Sequence, residues 1–136
     1  MVEMELNKIV IDEKRHDQLI VLKEKNGERT LPIVIGLAEA SAIKLKISGF
    51  EPERPLTHDL LHSTIKYLEA NIEKIVIDKL EESTFHAKIF LKTSSGVEKI
   101  IDARPSDSIA LAVRAPAPIF VEDEIIKQSE IFDKEK

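Results

Sequence analysis

The sequence predicts an α+β fold: two βββα-type halves whose antiparallel or mixed sheets pack against three to four helices. Three observations carry this expectation. First, β-rich runs come in two blocks of three, each followed by a helical run, so strands and helices are grouped rather than alternating as in a doubly wound sheet. Second, turn and capping residues punctuate the runs at the required places. Third, an offset of 68 residues lays Glu39-Ala40-Ser41-Ala42-Ile43-Lys44-Leu45-Lys46 on Asp107-Ser108-Ile109-Ala110-Leu111-Ala112-Val113-Arg114, with Ile33 on Ile101 and Ile35 on Ala103. Each half is then a three-stranded unit feeding a helix with an acid in its first turn and a base two turns later.

In chain order, residues 2–11 alternate roughly apolar and polar (Val2, Met4, Leu6, then Ile9 and Ile11), the pattern of a half-buried strand. Gln18 to Lys25 and Glu28 to Ile35 are β-rich and flank Asn26-Gly27, expected to form a two-residue hairpin turn with positive φ angles. Gly36 breaks the strand, and Leu37 to Ile47 reads as a helix ended by Ser48-Gly49. Phe50 to Leu56, with two prolines, is a loop. Thr57 is the expected N-cap of a helix running to about Asn71, with Asp59 in its first turn. Ile72 to Leu80, Phe85 to Lys92 and Val97 to Ala103 are three more strands, with Ser94-Ser95-Gly96 as a turn. Ser106 to Ala115 is a helix stopped by Pro116; a short strand at Ile119 to Val121 and an acidic helical stretch follow. Residues 1–136 form one domain in this reading, with a core over about 2–128 and a charged tail over 129–136.

Composition excludes several classes. At 136 residues there is one core, and no apolar run approaches the ~20 residues of a membrane-spanning helix. The N-terminus, MVEMELNKIVIDE, lacks the layout of a secretory signal, so a cytoplasmic chain without membrane contact is expected. Zero Cys removes disulfides, thiolate metal sites and a cysteine nucleophile. A net charge of −5 argues against gripping nucleic acid over a broad basic face, so any polyanion must be held by a local cluster. Lys outnumbers Arg fifteen to five, and the Lys, Glu and Ile abundance resembles a thermophile's composition. There is no Gly-rich phosphate loop, nucleophile elbow or dinucleotide fingerprint, so no organic cofactor is expected. Aromatics are 4% with no Trp, which disfavours a base-stacking sheet of the RRM type.

Two segments carry chemistry: Arg54-Pro55-Leu56-Thr57-His58-Asp59 and Asp102-Ala103-Arg104-Pro105-Ser106-Asp107. In each, Arg-Pro precedes a hydroxyl residue and an acid at a helix start. Proline fixes the entry, the free N–H groups form an anion site, and arginine suits a phosphate. Carboxylates and histidine are the groups phosphodiester hydrolysis uses. The competing reading is capping by Thr57 and Ser106, with the arginines tying loops together. Glu39 and Lys46, and Asp107 and Arg114, are roughly 10 Å apart along their helices, so each acid needs another partner, a metal or water. His58 and His62 are four apart, but no Glu follows the first His, and His62 is read as a boundary residue.

The blocks LPIVIGLAEASAI (31–43), RPLTHDLL (54–61) and DARPSDSIALAVRAPAPIFV (102–121) resemble the bifunctional nuclease domain family, in its order and spacing over roughly residues 2–128. The resemblance implies an α+β domain whose plant relatives are described as cutting DNA and RNA. Many relatives append a C-terminal helical UVR motif, not expected in the residues after 128 here. Matched block by block, it points to Glu39; to Arg54, Thr57, His58 and Asp59; and to Asp102, Arg104, Ser106, Asp107 and Arg114. The expectation is a nuclease with His58, Asp59, Asp102, Asp107 and Glu39 as catalytic residues and Arg54, Thr57, Arg104, Ser106 and Arg114 on the substrate. Asp102, Asp107 and Glu39 would hold Mg²⁺ or Mn²⁺. The alternative is a non-catalytic oligomeric binding or regulatory module whose motif residues form a structural ion-pair network. Either way a homo-oligomer is expected.

Overall fold

A computed structural model of the chain describes residues 1–12 and 14–134, with side chains through residue 129. Three strands, β1 (Val2–Val10), β2 (Asp17–Glu24) and β3 (Thr30–Gly36), precede two helices, α1 (Leu37–Ile47) and α2 (Thr57–Tyr67). Three further strands, β4 (Ala70–Glu81), β5 (Thr84–Thr93) and β6 (Glu98–Ala103), lead to α3 (Pro105–Arg114), β7 (Ile119–Val121) and α4 (Asp123–Lys134). The architecture is α+β, as the sequence predicts. One mixed sheet of order β3-β2-β1-β7-β4-β5-β6 holds two antiparallel meanders, joined by β7. That strand runs antiparallel to β1 (Met4 opposite Ile119) and parallel to β4 (Ile75 opposite Ile119). Among the described residues, no helix is long and apolar enough to cross a membrane.

The 68-residue offset survives in three dimensions. Val2 and Ala70, Thr30 and Glu98, and Leu37 and Pro105 each begin corresponding elements, and each pair is 68 apart. Burial follows position in the sheet. Ile75, Val76 and Ile77 of β4 are buried in succession, which requires cover on both faces, whereas edge strand β6 is exposed from Glu98 to Asp102 and carries charges that discourage further pairing. A single core joins Ile20, Leu22, Leu31 and Ile33 to Ile43, Ile75, Ile77, Ile109, Leu111 and Ile126. α3 is its hub. It packs on α1, α2, β4 and β5, and Ala110 and Ala112 let neighbours come close.

Several sequence expectations are corrected. Asn26-Gly27 is not a two-residue turn: β2 and β3 are joined by residues 25–29, and neither Asn26 nor Gly27 has positive φ. The turn with two positive φ angles is Glu82-Ser83, between β4 and β5, at 50° and 65°. α2 ends at Tyr67 instead of near Asn71, because Glu69 turns the chain at φ 61° into β4. Thr57 and Ser106 are not caps; Leu56 and Arg104 hold the N-cap positions, and the Leu56 N–H donates to Asp59 at 2.9 Å. α4 runs to Lys134, so the chain is helical beyond residue 128, where the charged tail was expected.

Candidate functional site

The acids Glu39, Asp59 and Asp107 all fall at the third residue of a helix, counting from Leu37, Thr57 and Pro105. A carboxylate there complements the positive helix end. Packing of α1 and α2 against α3 brings these three acids, two arginines and a histidine into two linked clusters.

The first cluster lies at the N-terminus of α3. Arg104 donates from Nε to Asp107 at 2.9 Å and from Nη2 to Glu39 at 3.0 Å, bridging α1 and α3. The Glu39 carboxylate fills the space that Gly36 leaves open, where a Cβ would lie 2.5 Å from Glu39 Oε2. His58, at the start of α2, meets Asp107 with 2.9 Å between Nε2 and Oδ1. Burial pushes the Asp107 carboxyl upward, but the hydrogen bonds from His58 and Arg104 and the Arg104 charge outweigh it and hold the pKa below the ordinary value. Asp107 is therefore ionised at neutral pH and accepts the Nε2 proton. This fixes the neutral tautomer and leaves Nδ1 as the basic nitrogen. The Arg104 guanidinium is raised above its usual pKa, chiefly by its hydrogen bond and attraction to Asp107. Its side chain is 66% exposed, so this end of the cluster faces solvent.

The second cluster, at the other end of α3, is closed. The Arg114 side chain is 3% exposed; Nε donates to Asp59 at 2.7 Å, Nη1 to the Ala110 carbonyl at 2.9 Å and Nη2 to the Ala42 carbonyl at 3.4 Å. Every guanidinium nitrogen is used within the protein. Arg114, expected from the sequence on a phosphate, ties helices together with all three nitrogens engaged, and Asp59, expected as a catalytic carboxylate, is its partner and accepts from the Leu56 N–H at the helix start.

Asp102 also departs from expectation. It lies on β6 opposite Lys88 of β5 and accepts from that ammonium at 3.0 Å; Lys88 also lies 3.5 Å from Asp78. The hydrogen bond from Lys88 and its charge lower the Asp102 pKa. Asp102 does not join Glu39 and Asp107, and no three His, Asp or Glu side chains among the described residues form a metal-holding group. Arg104 occupies both remaining carboxylates, so this donor set as arranged does not fit a divalent cation. Arg54 and Thr57 are exposed on the loop and at the first turn of α2, and neither side chain makes a hydrogen bond among the described residues. Ser106 is buried at the second residue of α3.

Beside Arg104 opens a groove of about 1010 Å³, walled by Pro32 to Gly36 of β3, Leu80, Thr84 and Phe85 around the β4–β5 turn, Pro105 and Ser106 of α3, and Gln128 and Ser129 of α4. Sequence reading missed this groove. Its walls come from β3, the β4–β5 turn, α3 and α4, segments far apart in the chain that only the fold brings together. Gly36 carried a signal that was readable only as a strand break.

Comparison with known proteins agrees with this arrangement of blocks. The family model described as the bifunctional nuclease domain matches residues 20–134. An uncharacterized protein of Mycobacterium tuberculosis, present in strains CDC 1551 and H37Rv, is 40% identical over 129 residues, covering 95% of this chain and 76% of that protein. Bifunctional nuclease 2 of Oryza sativa subsp. japonica is 30% identical over 114 residues, covering 82% of this chain and 35% of the rice protein. With nearly the whole chain matched and the Arg-Pro helix starts built into one structural unit, this protein belongs to the bifunctional nuclease domain family.

Proposed function

We propose that this domain is a nuclease hydrolysing phosphodiester bonds of DNA and RNA in the cytoplasm, with its centre at the N-terminus of α3. The observation that supports it best is the chain His58–Asp107–Arg104–Glu39, with an oriented imidazole at one end and a solvent-facing guanidinium at the other. In this reading His58 Nδ1 takes a proton from the attacking water as the new P–O bond forms. The bond to the leaving oxygen breaks, and that oxygen is protonated from solvent. Arg104 neutralises charge on the phosphoryl oxygens. Mg²⁺ or Mn²⁺ would assist only by displacing Arg104 from Glu39 and Asp107.

The alternative, a non-catalytic binding or regulatory module, is favoured by the closed Arg114–Asp59 pair, which is architecture. For either reading we infer a homo-oligomer. Its support is α2 and the residue after it, where Leu60, Leu61, Tyr67 and Leu68 are exposed, an apolar patch of the kind that a second copy covers.

The deciding experiment is cleavage of labelled single-stranded DNA and RNA with Mg²⁺, Mn²⁺ or EDTA, wild type beside Asp107→Asn, with the melting temperature of each recorded. Cleavage lost in a folded Asp107→Asn supports the nuclease; its suppression by EDTA supports the cation. No wild-type cleavage, or equal cleavage by the variant, overturns the assignment in favour of the module.

A further inference from the structure

The groove beside Arg104 has a polar end and an apolar length, and the polar end is unfinished. At the start of α3, Pro105 has no N–H, and those of Ser106 and Asp107 precede the first intrahelical bond, which runs from Ser108 to the Arg104 carbonyl at 3.0 Å. Ser106 is 5% exposed and lines the groove, yet its hydroxyl has no hydrogen-bond partner among the described residues. Ser129 of α4 lines the same groove, and its hydroxyl also has no partner among them. Arg104 uses Nε and Nη2 on carboxylates and leaves Nη1 free. The groove is thus lined at this end by an unpartnered hydroxyl and a guanidinium beside a helix start whose first N–H groups are uncommitted, the donor types that suit a tetrahedral anion. Away from it Pro32, Val34, Leu80 and Phe85 form an apolar stretch, with Asp17, Thr84 and Gln128 among the polar residues of the lining.

We propose that this groove is a nucleotide subsite, holding a phosphate at Ser106 and Arg104 and laying the attached base against Val34, Leu80 and Phe85. Ligand sites of roughly 300–1,000 Å³ accept drug-sized molecules, so about 1010 Å³ has room for more than one nucleotide of a single strand. Bases lie flat on an apolar wall only when unpaired, so a duplex is excluded. This rests on the nuclease reading for the identity of the ligand and deepens it by naming where the strand lies and through which atoms.

The test is binding, followed on the backbone amides by NMR with inorganic phosphate, adenosine 5′-monophosphate and a short oligo-dT under EDTA. The expected result is that all three shift the Ser106 and Asp107 amides. The two nucleotide ligands should also shift Val34 and Phe85 and bind more tightly than phosphate. Ser106→Ala, a small change at a buried position of the groove wall, should weaken each ligand about tenfold, the usual loss for one hydrogen bond to a charged group. Val34→Glu, at an exposed position, should weaken the nucleotides and spare phosphate. Phosphate binding alone, with the nucleotides no tighter, overturns the base-holding wall. Cleavage with no amide shift, and unchanged by Ser106→Ala, overturns the subsite while the nuclease stands. Nucleotide binding with these shifts and no cleavage upholds the subsite and overturns the nuclease.

Discussion

Arg104 and Arg114 sit at the two ends of α3 and do the same elementary thing, pairing with a carboxylate at the third residue of a helix. They differ in what surrounds the pair. Arg114 is enclosed by α1, α2 and α3 with every nitrogen used, whereas Arg104 stands two-thirds in water with one nitrogen free. A pair that exchanges readily with solvent can exchange with a substrate, and a buried one cannot. Residue type alone therefore does not separate the two pairs; exposure of the arginine does.

The largest effect should come from breaking the closed pair. Arg114→Leu removes the partner of the half-buried Asp59 and of two carbonyls and is expected to cost about 2–3 kcal/mol in urea unfolding, below the figure for a fully buried pair because Asp59 keeps water and the Leu56 N–H. Adding Asp59→Asn should restore part of that loss, which a double-mutant cycle would measure. Arg104→Gln should do the reverse. Stability falls by less than about 1 kcal/mol, as for an exposed pair, while cleavage falls about 10²-fold, the usual loss for a donor aimed at developing charge. If Arg104→Gln unfolds the protein instead, the contrast between the two ends is wrong.

The smallest effect is on pH. Burial raises Asp59 and Asp107, but Leu56 N–H and Arg114 in one case and His58 and Arg104 in the other outweigh it, so both titrate low. The stability these carboxylates lend is complete above the ordinary carboxylate pKa, about 3.9, and is lost as pH falls through their folded values. His62 is also lowered, by burial first and then by Lys66, Lys46 and Arg114. Its neutral form is favoured in the fold, so its contribution fades as pH falls below about 6.5. Melting temperature should decline in two stages on acidification, and His62→Gln should remove the earlier one.

Much of the frame was legible in the sequence. The two meanders, the limits of α1 and the 68-residue offset follow from periodicity and breakers, which are local. Turn geometry was less so: Glu82-Ser83 adopts the conformation that Asn26-Gly27 advertises, because the short register of β4 and β5 imposes it. In the candidate site, the residues that cluster were visible as types, since Glu39, His58, Arg104 and Asp107 all lie in the motif blocks. Their grouping was not, because it depends on how α1, α2 and α3 pack. Asp102 shows the limit most clearly. It is two residues from Arg104, yet the register opposite Lys88 gives it a different partner.

The position of β7 has a consequence for how the chain is made. Residues 119–121 fill the gap between β1 and β4, so each meander keeps an open inner edge until nearly the whole chain has been synthesised. Closing that gap pairs Val2 with Val121, among the longest loops the chain can form, and long closures slow folding more than they weaken the folded state. A substitution in Ile119–Val121 should thus show first as a slower refolding rate, and as a longer-lived intermediate with two unpaired strand edges on which another chain can dock.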